Sequence, residues 1–337
     1  PSRPGQGLGG RYRDRPQAPL LLSQTWRCSS WDQPPHPHFL PEPEPEASPA
    51  SPQAEQLRHD RWADVIDETL LARLLRQVAA FGSQGLNRSQ PILSASLPDG
   101  SRVQVVAPPA TRDGHVLAIR RHVSSDLSLA DWEQGEAFAE LEASDDAPDF
   151  ERHWKMVGAD EAPAMLREAV RERRNIIVSG GTSTGKTTFL NALLAEIPLS
   201  ERLVLIEDTE ELKAPHPNLV GLIAARGSLS EAGVTAEDLL IAALRLRPDR
   251  IILGELRGAE AFTFLRAVNT GHPGSMTSIH ADTPQRAIEQ LALLVLQTGS
   301  RLSRDDVRHY VRESIDVFVQ LERHGGRRRA SQVMVAR

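Results

Sequence analysis

The chain has 337 residues, enough for about two domains, and 40% of them are hydrophobic, enough for a sizeable core. A formal net charge of −6 speaks against a protein that coats nucleic acid, and no run of eighteen apolar residues is present to cross a membrane as a helix. The single cysteine, Cys28, excludes an internal disulfide and fits a reducing cytosol.

Residues 1–55 read as a disordered, Pro-rich leader. Leu20-Leu21-Leu22 is too short for a signal-peptide core. Eight prolines fall among the nineteen residues from Pro34 to Pro52, including the Pro41-Glu-Pro-Glu-Pro-Glu46 run. Proline removes backbone donors and the glutamates repel one another, so a packed core is not expected there. A polyproline segment for a partner is the functional alternative to a plain linker.

Residues 56–122 read as a small α+β domain. Val65, Leu70, Leu71, Leu74, Leu75, Val78 and Phe81 recur near helical spacing, predicting a helix over 57–82 with Gly82 as its stop. Ile92–Leu97 and Arg102–Val106 read as strands across a Pro98-Asp99-Gly100 turn, and His115–Arg121 as a third strand. Residues 123–150 are polar and acidic and read as a linker carrying short helices.

Residues 151–337 alternate helix and strand, the pattern of a parallel α/β sheet. A helix over Ala164–Arg173 leads to a strand from Asn175. Leu203–Ile206, Arg250–Glu255 and Met276–His280 read as further strands. Thr235 and Thr283 are helix N-caps, the latter with Pro284 at the first helical position. Ile315–Leu321 and Ser331–Val335 read as a closing hairpin across Gly325-Gly326.

The chemistry concentrates after the Asn175 strand. Gly180-Gly181-Thr182-Ser183-Thr184-Gly185-Lys186-Thr187-Thr188 runs from an apolar strand into a helix, the context that confirms a P-loop. Gly180 and Gly185 let the backbone turn so that several N–H groups aim at one point, where the helix dipole adds its positive end. Lys186 is then placed for the β/γ-phosphates of ATP and the Thr187 hydroxyl for Mg²⁺. Three strand ends add polar residues on the side where open α/β sheets bind ligands. Glu255 follows Ile251-Ile252-Leu253-Gly254 and suits the Mg²⁺ shell or a polarised water. Glu207, Asp208, Glu210 and Glu211 crowd one turn, and one of them is expected to orient the attacking water. His280 is expected to sense the γ-phosphate, and His272 has a weaker case.

Four stretches together resemble the boxes of the secretion ATPase superfamily, most closely the traffic ATPases of type IV secretion and conjugation systems. They are Gly180–Thr188, Ile206-Glu-Asp-Thr-Glu-Glu211, Leu244-Arg-Leu-Arg-Pro-Asp-Arg-Ile-Ile-Leu-Gly-Glu-Leu-Arg-Gly258 and Thr277-Ser-Ile-His280, in that order, within a likeness covering about residues 57–337. The resemblance implies a RecA-like P-loop NTPase domain preceded by a small α+β domain. It implies a cytoplasmic homo-hexameric ring, peripheral at the inner membrane, docked on the inner-membrane components of a secretion apparatus. Such a ring hydrolyses ATP with Mg²⁺ to drive transfer of a secreted protein or DNA–protein substrate, or pilus biogenesis. By family pattern Glu211 matches the acid-box glutamate, Glu255 the Walker B glutamate and His280 the histidine-box residue. Arg120 and Arg121 match the arginine-bearing, nucleotide-facing end of the N-terminal domain. Family members begin with several strands before the first helix; the Pro-rich leader stands there instead, so the N-terminal domain reads as truncated or replaced.

Other functions fit less well. A small-molecule kinase needs a lid and an acceptor segment. A helicase or packaging motor needs a basic, aromatic-bearing loop, whereas aromatics are 4% and the one basic cluster, Arg327-Arg328-Arg329, sits in the closing hairpin; no sequence-specific nucleic acid is expected as a partner. A non-hydrolysing scaffold has no need of Lys186, Glu211 and Glu255. An ATPase of a type IV or related pilus-assembly or type II secretion system shares the same boxes and is the runner-up.

Overall fold

The computed structural model describes residues 24–27 and Glu68 by their backbone, and residues 69–81, 85–98, 100–112, 114–120, 127–145, 154–224 and 233–336 in full. Strand β1 (Gln24–Arg27) is followed by helix α1 (Glu68–Phe81) and strands β2 (Ile92–Ser96), β3 (Arg102–Val106) and β4 (Val116–Arg120). The strands form one antiparallel sheet in the order β1-β4-β3-β2. Alternation in β3 turns Val103 and Val105 inward beside Leu93 and Leu117, where Leu71, Leu75 and Val78 of α1 cover them. Leu70, Leu74 and Phe81, counted in the same helical stripe by sequence, are exposed. The helix's expected start at 57 and its stop at Gly82 lie outside the described residues.

Strand β1 falls within the stretch read from sequence as a disordered leader, whose other residues lie outside the described ones. Four residues of it pair with β4, Gln24 opposite Ile119 through Arg27 opposite Val116. Proline content falls off at this point in the leader, and the backbone of Gln-Thr-Trp-Arg is free to add an edge to the sheet.

Residues 127–145, within the stretch read as a linker carrying short helices, hold one short helix and more apolar packing than a linker needs. Helix α2 (Leu129–Gln134) starts with a reciprocal capping box between Ser128 and Asp131. Leu129, Trp132, Phe138 and Leu141 are buried in one cluster with Phe189, Leu190 and Leu193. The Trp132 ring meets the Phe189 ring edge-on, centroids 5.0 Å apart at 87°. A few large apolar side chains set among acids carry the packing, so the average polarity of the stretch misleads.

The remaining elements build an eight-stranded sheet. In chain order they are β5 (Trp154–Met156), α3 (Ala162–Arg171), β6 (Ile176–Gly180), α4 (Lys186–Leu194), β7 (Leu203–Glu207), β8 (Leu219–Ile223), α5 (Ala236–Ala243), β9 (Arg250–Leu253), α6 (Glu260–Asn269), β10 (Met276–Ile279), α7 (Pro284–Gln297), α8 (Arg304–Ser314), β11 (Val317–His324) and β12 (Arg327–Ala336). The strand order is β5-β12-β11-β6-β10-β9-β7-β8. From β11 to β8 neighbours run parallel, while β12 and β5 add antiparallel pairs at one edge. Every residue of β6, β7, β9 and β10 is buried, as expected where helices cover both faces. Helices α2, α3 and α4 share one cluster and α5 to α8 the other. The sequence pattern did not place β5, β8, α6 or α8. Charges hide α8, whose eleven residues bury only Val307, Val311 and Ser314.

Arg250, fully buried at the start of β9, is satisfied by bidentate pairing with Glu201 at 2.7 and 2.9 Å and by donation to the Val170 carbonyl at 2.7 Å. This closes the end of the sheet away from the P-loop and leaves the carboxyl ends of β6, β7, β9 and β10 to form a site.

Candidate nucleotide-binding and active site

Strand β6 ends at Gly180 and α4 begins at Lys186, so five residues, Gly181 to Gly185, make the turn between them. A Cβ on Gly180 would lie 2.7 Å from the Leu321 carbonyl oxygen and 2.5 Å from Thr184 Oγ1, so no other residue fits there. Gly185 holds the helix N-cap at φ +95°, without a capping side chain, which leaves the first-turn N–H groups and the positive dipole end for an anion. Ser183 is left-handed too, at φ +61°. The Thr184 hydroxyl donates to the Gly181 carbonyl at 2.9 Å, so Gly181 shapes the turn while Thr182, Ser183, Thr184, Thr187 and Thr188 face a cleft of about 400 Å³.

Lys186 is buried and curls back on its own loop. Its ammonium donates to the carbonyls of Gly180 (2.9 Å) and Gly181 (3.1 Å) and lies 3.3 Å from His280 Nδ1. Burial pushes its pKa down, with the Glu255 charge pulling it back up.

The four acids of the second strand end separate into different environments. Glu207 turns inward, and its Oε1 accepts the backbone N–H groups of Glu211 (2.8 Å) and Leu212 (2.7 Å). Burial raises its pKa to about 7 against the pull of those two hydrogen bonds, and the carboxylates of Glu211 and Glu210 add to the rise. Asp208 accepts from Arg257 at 3.0 Å. Glu210 is exposed and outside the cleft. Glu211 faces the P-loop, where it accepts the Thr187 hydroxyl at 3.1 Å and pairs with Arg102.

Glu255 and His280 come together at the neighbouring strand ends. Glu255 Oε2 takes both Nε (2.7 Å) and Nη2 of Arg257. Its Oε1 is buried 2.8 Å from His280 Nε2, close but without the alignment of a hydrogen bond. Burial lowers the His280 pKa; Glu255 opposes this, and the Lys186, Arg257 and Arg120 charges reinforce it. A neutral imidazole at neutral pH follows.

Arg120, at the end of β4, lines the same cleft, whereas Arg121 lies outside the described residues. His272 precedes β10 and so sits at the opposite end of the strand from the P-loop, where its carbonyl accepts the Ser275 hydroxyl; it has no place in the site. Arg257, a candidate from sequence because it follows Glu255, lines the cleft as well, whereas sequence reasoning missed Arg102 and Arg328. Arg102 stands directly opposite Arg120 in the β3–β4 ladder, so the hairpin register was the signal that brings it in.

The donor set suits Mg²⁺ carried by a nucleotide. The Thr187 hydroxyl and the Glu255 carboxylate are hard oxygen donors, and the buried Glu255 Oε1 lacks an aligned donor. Among the described residues no group of three or more His, Cys, Asp or Glu is set to hold a metal alone; Mg²⁺ at phosphates needs only one or two protein oxygens.

A parallel sheet with helices on both faces, a glycine turn opening a helix and a carboxylate-lined cleft at the strand ends define a P-loop nucleotide triphosphatase. The profile of the Type II/IV secretion system protein family matches residues 64–324. The type IV secretion system protein VirB11 of Bartonella henselae is 38% identical over 279 residues, 78% of each chain. VirB11 of Brucella suis is 39% identical over 269 residues, 77% of this chain and 74% of that one. The X-ray structure of the Legionella pneumophila ATPase DotB shares the fold, with TM-score 0.52 at 19% identity over 83% of this chain and 71% of that one. The chain belongs to the Type II/IV secretion system protein family.

Proposed function

We propose that this chain is the ATPase motor of a type IV secretion or conjugative transfer machine, working as a homo-hexameric ring against the cytoplasmic face of the inner membrane. The observation that carries the reading is the convergence of Lys186, Glu211, Glu255 and His280 on one P-loop cleft, in a chain whose family members serve type II and type IV secretion. Type II secretion proteins fall under the same family description, which keeps that runner-up as the second reading. Among the described residues no helix is long and apolar enough to cross a membrane, in keeping with a peripheral seat.

In this reading Lys186 exchanges its two loop carbonyls for β/γ-phosphate oxygens. Thr187 and Glu255 hold Mg²⁺, which neutralises phosphate charge when bound. Glu211 orients the attacking water, its carboxylate already next to Thr187. His280, neutral and between Lys186 and Glu255, reports the γ-phosphate to β10. Arg120 supplies positive charge against the negative charge that builds on the transferred group.

The ring is tested by specific ATPase activity against protein concentration. Activity is expected to rise with concentration, and Arg120→Ala is expected to slow turnover far more than it weakens binding, toward the 10³–10⁵-fold scale of an arginine finger. A flat profile with Arg120→Ala unimpaired would leave a self-contained monomeric ATPase.

A further inference from the structure

The three arginines of the closing hairpin fare differently. Arg329 is clamped by Glu140 and by Glu322 at 2.6 Å. Arg328, exposed and paired across the ladder with Arg323, has no carboxylate partner among the described residues. Its side chain lies against the P-loop instead: from a Cβ placed on Gly185, Arg328 Cδ is 2.9 Å away, Nε 3.5 Å, and the Trp132 ring 3.4 Å. Only a glycine at position 185 leaves room for this approach. An unneutralised guanidinium thus sits at the N-terminus of α4, the positive end of the helix dipole, in the same cleft as Lys186. Cations are unfavourable at that end of a helix, so the arrangement gains stability when an anion arrives. The Arg329 clamp next door fixes the hairpin, so the position costs little ordering on binding.

We propose that Arg328 is a nucleotide-binding residue, pairing its guanidinium with phosphate oxygens of the bound nucleotide from the C-terminal hairpin of the same subunit. The proposal rests on the nucleotide reading of the P-loop.

The test is calorimetric titration of ATP and of inorganic tripolyphosphate into the full chain. The parent, Arg328→Ala, Arg328→Lys, Arg327→Ala and Lys186→Ala are compared, with melting curves to confirm folding. Arg328→Ala is expected to weaken both ligands by roughly ten- to a hundredfold, the size of one hydrogen bond to a charged group. Arg328→Lys should recover part of the loss, because it keeps the charge but not the fork. Arg327→Ala, one residue along and outside the cleft, should change neither ligand. If Lys186→Ala loses ATP while Arg328→Ala keeps parental affinity, the Arg328 assignment falls and the nucleotide reading stands. Weakened ATP with unchanged tripolyphosphate would put the guanidinium on the base and overturn the phosphate pairing. A parent that binds neither ligand would remove the nucleotide reading and this proposal with it.

Discussion

Glu207 offers a quantitative test of how the acid turn is built. Its carboxyl is buried, holds the Glu211 and Leu212 amides, and has its pKa raised from 4.5 to about 7. A raised carboxyl pKa means the folded chain keeps a proton that the unfolded chain releases. Its favourable contribution is fully present below 4.5 and is lost as pH rises through about 7. The gap between those values corresponds to about 3 kcal/mol at full ionisation. Glu207→Gln keeps an acceptor oxygen and removes the charge, so its stability should not follow this curve. Between about pH 5 and about pH 8 the variant should gain roughly 2–3 kcal/mol relative to the parent. Urea unfolding at a series of pH values reads this directly. A stability difference that stays constant across the range, or shrinks toward alkaline pH, would show that Glu207 is not a desolvated acid.

Two further perturbations probe the site's foundations. Trp132→Ala should lower stability by about 3–5 kcal/mol in urea unfolding, because it removes a buried ring stacked edge-on against the P-loop helix; a near-neutral result would return residues 127–145 to the status of a linker. Gly180→Ala should lose nucleotide affinity and melt earlier, since its Cβ would press on the Leu321 backbone oxygen at 2.7 Å. Parental affinity and melting temperature in that variant would show that the turn has room to spare.

The parallel strands were legible because they are buried on both faces and read as short apolar runs such as Ile251-Ile252-Leu253. The P-loop was legible because phosphate binding fixes both residue types and spacing. The sheet's edge strand β8 was not: its residues alternate with Leu219 and Ile223 exposed, and nothing local marks them as a strand. The division of labour among Glu207, Asp208 and Glu211 was also hidden. All three follow one strand, and only the turn's backbone decides that Glu207 folds inward while Glu211 meets Thr187. Arg102 and Arg328 were missed for a different reason. Each enters the cleft through strand pairing, which places a residue by register rather than by its neighbours in the chain.

Turnover and binding by Glu255→Gln bear most directly on the site. Both glutamine and glutamate occupy the same volume beside Arg257 and His280, so the variant should bind ATP at close to parental affinity. Hydrolysis should fall by roughly 10²–10⁴-fold, the scale of a lost proton-handling or metal-holding carboxylate. Hydrolysis by Glu255→Gln at the parental rate would contradict the assignment of that strand end, and with it the active site drawn around the P-loop.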